Sequence, residues 1–127
     1  MSFRIEAIRT VPNGIVFVCD PTMLIDVPPD TGAAPILSTP NCVSIWARHE
    51  DDGMVQLVMS SYFEDVDCSL IFQGMVETSG RKLAINMSDC ETAVEVESLD
   101  VTTALTIYAN DTQFPTKIVS VLGIQHS

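Results

Sequence analysis

The chain has 127 residues, with 17 Asp and Glu against 6 Lys and Arg, and a formal charge of -11. Such a surface repels phosphate, which disfavours nucleic acid and anionic membrane leaflets as partners, and no stretch approaches the roughly 20 apolar residues that span a bilayer. An apolar content of 46% is too high for disorder and supplies a core for one acidic domain over residues 1–127, with no need of disulfides or metal.

Gly and Pro cut the chain into short segments rich in Val, Ile and Thr, none with a sustained helical period, so the chain reads as all-β. Residues 3–10 set Phe3, Ile5 and Ala7 against Arg4, Glu6 and Ile8, and Pro12-Asn13-Gly14 then predicts a hairpin into Ile15-Val16-Phe17-Val18-Cys19. That second segment is apolar on both faces, as in a central strand. Residues 28–41 hold four of the seven prolines and read as a loop, either a recognition loop or a tether across the end of a sandwich. Residues 42–49 place Val43, Ile45 and Ala47 on one face. Glu50-Asp51-Asp52-Gly53 then reads as a tight charged turn that pairs them with residues 54–60.

A second acidic connection, residues 61–67, carries Tyr62 and Phe63 beside Glu64, Asp65 and Asp67. Residues 68–78 and 82–88 around Ser79-Gly80-Arg81 give the clearest hairpin pattern, with Gly74 predicted to bend its strand. Residues 92–97 face water through Glu95 and Glu97, and residues 102–110 and 116–125 close the chain. Eight or nine strands at spacings of roughly 8 to 12 residues predict a single antiparallel β-sandwich. Each strand is expected to have one buried and one wet face.

Cys19, Cys42, Cys68 and Cys90 are spaced by 23, 26 and 22 residues, without the close pairs from which structural zinc sites are built. Residues 1–9 contain Arg4, Glu6 and Arg9 where a leader would need an apolar run. The expectation is therefore a cytoplasmic protein whose cysteines are buried reduced thiols; in a secreted chain the even count would permit two disulfides. His126 stands in the terminal pair and His49 in a charged turn, and no motif brings a nucleophile to either, so the reading is no enzyme, no catalytic residue and no cofactor. Trp46, alternating with Cys42 and Ser44, is read as core.

Carboxylates are in excess at Glu50-Asp51-Asp52, at Glu64-Asp65-Val66-Asp67, and at Asp89, Glu91, Glu95, Glu97 and Asp100. Three functional readings compete with solubility alone. Convergent acidic loops could hold calcium or a small ligand, although the spacing fits no EF-hand and no metal site is assigned. A carboxylate pair for glycoside hydrolysis would need a sugar cleft, usually aromatic-lined, and the chain has only eight aromatic residues. The preferred reading is a surface complementary to a basic protein, built from Glu50, Asp51, Asp52, Glu64, Asp65 and Asp67, with Tyr62 and Phe63 as aromatic anchors or as an end plug of the sandwich. A self-associating module, such as a homodimer through residues 118–124 at a sheet edge, is a further expectation.

Val43-Ser44-Ile45-Trp46-Ala47, Val55-Gln56-Leu57-Val58-Met59, Leu83-Ala84-Ile85-Asn86-Met87, Leu105-Thr106-Ile107-Tyr108-Ala109 and Ile118-Val119-Ser120-Val121 form an ordered set of β segments from Cys42 to Ile124. In this order the chain resembles the competence-protein J family, small acidic cytosolic proteins that bind and inhibit a DNA-uptake nuclease. Residues 28–41 have no counterpart in the pattern. The resemblance implies an inhibitor or immunity-type protein with a nuclease partner, no cofactor and no catalysis.

Overall fold

A computed structural model describes residues 2–97 and 100–123. Ten strands occur among them: β1 (Arg4–Arg9), β2 (Ile15–Cys19), β3 (Ile36–Thr39), β4 (Cys42–Trp46), β5 (Val55–Ser60), β6 (Ser69–Glu77), β7 (Lys82–Met87), β8 (Thr92–Glu97), β9 (Thr102–Ala109) and β10 (Lys117–Leu122). They form two five-stranded sheets, ordered β1-β5-β10-β9-β6 and β3-β4-β2-β7-β8. The architecture is the expected β-sandwich. One pair departs from the antiparallel pattern, because β10 runs parallel to β5.

The core lies between the sheets. Leu57, Met59, Leu105, Ile107 and Ile118 from the first sheet meet Val16, Val18, Val43, Ile45, Leu83 and Ile85 from the second, all essentially without solvent contact. These are the inward members of the period-two patterns. Most partner assignments, by contrast, are corrected. β1 pairs with β5 while β2 pairs with β4 and β7, so the first turn joins two sheets and makes no hairpin. The turns after β4 and after β6 likewise carry the chain from one sheet to the other. An arch and a hairpin demand the same local alternation, since either keeps the apolar face inward. Register with distant strands decides between them.

Two long connections stay within their own sheet and skip strands. Residues 20–35 pass over β4 before β3, the edge strand that the proline-rich stretch contains, and residues 61–68 pass over β10 and β9 before β6. Both therefore act as flaps on the outer faces. They explain why β4 and β5 are buried on both sides, against the expectation of one wet face each. Outside the main core, Val58, Cys68 and Val119 form a second small cluster beneath the 61–68 flap, with Tyr108 and Val121 against it.

β10 is central in its sheet, so the expected apolar edge at residues 118–124 does not exist; Ile124, like Gln125 and His126, lies outside the described residues. The bend expected at Gly74 occurs instead between Leu70 and Phe72, where Ile71 is the extra residue of a bulge.

Candidate functional site

Register shows which loops share an end of the sandwich. β5 begins where β1 and β9 finish, and β2 begins where β4 and β7 finish. One end therefore gathers the Pro12–Gly14 turn, the Glu50–Asp52 turn, residues 88–91 and residues 110–116. It carries the exposed carboxylates of Glu50, Asp51, Asp52, Asp89, Glu91 and Asp111.

At this end Trp46 and Phe114 stack with ring centroids 6.4 Å apart and planes 16° apart. Trp46, expected in the core, is instead half-buried on the outer face under the 20–35 flap. Its indole N–H donates to the Thr31 carbonyl at 2.8 Å. Phe114 is 61% exposed. Its backbone N–H donates to the Asp111 carboxylate at 2.8 Å, and the Gln113 N–H does so at 3.2 Å, which holds the turn and keeps that carboxyl below its ordinary pKa.

His49 caps the short 3-10 turn, its Nδ1 accepting from the Asp51 N–H at 3.2 Å. Two shallow cavities flank Phe114. One of about 370 Å³ is lined by Arg48, His49, Asp52 and Phe114. The other, about 250 Å³, is lined by Asn13, Gly14, Trp46, Ala47, His49 and Phe114. The arrangement offers an aromatic platform with a carboxylate rim, the layout of an interface anchor.

The second predicted segment has a different fate. Residues 61–68 run back over the first sheet, and Asp65 is pinned beneath them. Its carboxylate accepts two bonds from the Arg4 guanidinium at 2.9 Å each and lies 2.7 Å from Lys117 Nζ. The Asp65 side chain is 5% exposed. The Arg4 bond is the main reason its carboxyl is lowered to about 2, with Lys117 adding to it against the cost of burial. Asp65 is thus a structural pin, which corrects its placement among surface acids.

Glu64 remains at the surface, 3.8 Å from Arg4, and Asp67 sits 3.3 Å from Lys117. Lys117 in turn donates its backbone N–H to Asn110 at 3.1 Å, so Asp67 borders the acidic end. Phe63 stacks on Tyr108 at 3.7 Å, holding the flap to the sheet's outer face instead of plugging the sandwich end. Tyr62 and Phe63 are 38% and 39% exposed.

Phe114 and Asp111 were not singled out from the sequence. The criterion that selected Tyr62 and Phe63, an aromatic residue in a polar connection, applies equally to Asp111-Thr112-Gln113-Phe114. No group of three or more His, Cys, Asp or Glu side chains stands in metal-holding geometry among the described residues.

Fold and site together define an all-β sandwich with a flap on each outer face and one acidic, aromatic-bearing end. No family model matches the chain, and no curated protein matches it. Among solved structures it is similar to ComJ, inhibitor of the DNA degrading activity of NucA, from Bacillus subtilis. The TM-score is 0.64 and the match covers 98% of each chain at 10% identity. At that identity the likeness is one of fold, from the first strand to the last, and it extends the resemblance read from the strand order.

Proposed function

We propose that this chain is a non-catalytic binding protein that inhibits a nuclease by presenting carboxylates to its basic substrate groove. The observation that carries the reading is the placement of Glu50, Asp51, Asp52, Asp89 and Asp111 at the same end of the sandwich as the Trp46–Phe114 stack, with Asp52 lining a cavity beside Phe114 and the Asp111 carboxylate accepting from its N–H. The fold shared with a nuclease inhibitor supports it. A nuclease groove is lined by cations placed for phosphate, and closely spaced carboxylates meet the same cations. Phe114 is the apolar anchor that keeps the pair together once charge has steered it into place.

The test is inhibition and binding of a DNA-degrading nuclease, with NucA, the nuclease that ComJ inhibits, as the first candidate. DNA degradation should stop near equimolar protein, and affinity should fall about tenfold or more as salt rises through the physiological range. Charge reversal at Glu50, Asp51 and Asp52 together should slow association about tenfold, whereas Phe114→Ala should chiefly speed dissociation. Affinity indifferent to salt, or a triple variant that associates as fast as the parent, would overturn the reading.

A further inference from the structure

Cys19 ends β2 and Cys42 begins β4, and the two are direct partners in the antiparallel ladder. Paired residues share a face, so both side chains project outward, away from the core. Residues directly opposite in such a ladder have Cα atoms roughly 4.5 to 5.5 Å apart, within the range that a disulfide spans. Both are free thiols and both line one apolar cavity of about 540 Å³ between the 20–35 flap and β7, along with Phe17, Ile25, Val27 and Asn86. The Asn86 amide donates to Cys19 Sγ at 3.8 Å. Cys19 is 3% exposed and Cys42 is fully buried.

The position of the pair in the chain adds to this. Cys19 and Cys42 are the two residues that bracket segment 20–41, which holds the flap and β3. Asp20, next to Cys19, accepts from Thr22 N–H and Oγ1, and Asn41, next to Cys42, bonds Asp26 and Leu24. A bond between the two sulfurs would therefore staple the base of the flap without disturbing either anchor.

We propose that Cys19 and Cys42 are an oxidisable dithiol that a small hydroperoxide entering this cavity converts to a disulfide. The Cys19 thiolate attacks a peroxide oxygen, the O–O bond breaks, and Cys19 sulfenic acid and hydroxide form. Cys42 Sγ then displaces the hydroxyl from Cys19, the S–S bond closes, and water leaves with the Cys42 proton. Two electrons pass from the thiols to the peroxide. Cys19, the one of the two with any solvent contact and the one whose sulfur accepts from the Asn86 amide, is the attacking sulfur, and Cys42 is the resolving one.

The experiment treats the reduced full chain with hydrogen peroxide, alkylates the remaining thiols, and maps peptides without reduction. The expected product is one cross-link joining Cys19 to Cys42, with a thermal midpoint raised by roughly 10 °C that dithiothreitol restores. In the Cys42→Ala variant, a dimedone adduct should accumulate on Cys19. Alkylation of both Cys19 and Cys42 after peroxide, or a bridge from either to Cys90 at the cavity mouth, would overturn the proposal. The map of the unsubstituted chain decides this even if the variant does not fold.

Discussion

Asp65 shows how one residue can read as surface in sequence and act as a buried pin in the fold. Its neighbours Glu64 and Asp67 are solvated, and nothing local distinguishes it. What selects it is the arrival of Arg4 from β1 and Lys117 from β10 at one point beneath the flap. Removing a partner from a buried ion cluster leaves uncompensated charge, so Asp65→Ala should lower unfolding free energy in urea by about 3 kcal/mol. The pH dependence has a definite sign. The folded carboxyl titrates at about 2, below its unfolded value of roughly 3.9. Its contribution is therefore fully present above about pH 4 and lost as pH falls towards 2. Thermal melts between pH 5 and 2 should show a loss that is smaller in the Asp65→Ala variant. Ser120 is the opposite case. It occupies an inward position on β10 beside Ile118 and Leu122, and its hydroxyl finds no hydrogen-bond partner among the described residues. Ser120→Ala should raise stability by about 1 kcal/mol, measured by the urea midpoint.

Among the elements, the turn after β6 illustrates what separates an arch from a hairpin. Ser79-Gly80-Arg81 carries ordinary turn residues, and the alternation on both sides suits a hairpin. In the fold, Gly80 lies against Asp20 and Thr22, which follow β2, where an added Cβ would meet the Thr22 hydroxyl and come within 2.8 Å of Asp20 Oδ2. The Asp20 carboxylate, despite its burial, stays below its ordinary pKa because Thr22, Lys82 and Gly80 donate to it. Gly80→Ala should therefore cost about 2 kcal/mol or more in urea unfolding, a cost that a solvated hairpin turn would not show. The flaps follow the same logic. Val58 and Val119 break no alternation rule strongly enough to announce a covered outer face, and only the skipped strands reveal the cover.

At the scale of the whole molecule, the 17 acidic residues outnumber the 6 basic ones to leave a charge of -11, and the bases are largely spent within the fold. Arg4, Arg9, Lys82 and Lys117 all stand in ion pairs with carboxylates, so the remaining acids dominate the surface field. Self-repulsion of that field opposes compactness, and salt screens it. Raising sodium chloride from about 10 to 150 mM should raise the melting temperature by a few degrees in the protein alone, while weakening any association led by charge. An unchanged melting temperature would show that the excess acids are too far apart to repel.

The sequence by itself determined the all-β class, the inward residues of most strands and the acidity of the connections, because side-chain alternation is a local property with period two. Only the tertiary structure decided which strands pair, which loops meet at one end, and that Asp65 turns inward while Phe114 turns outward. Those outcomes depend on contacts between residues far apart in the chain, 61 positions in the Arg4–Asp65 pair and 82 in the Arg9–Glu91 pair. The excess of acid was legible from the composition. Its division into a buried pin and an exposed rim follows from where β1, β10 and the flaps converge.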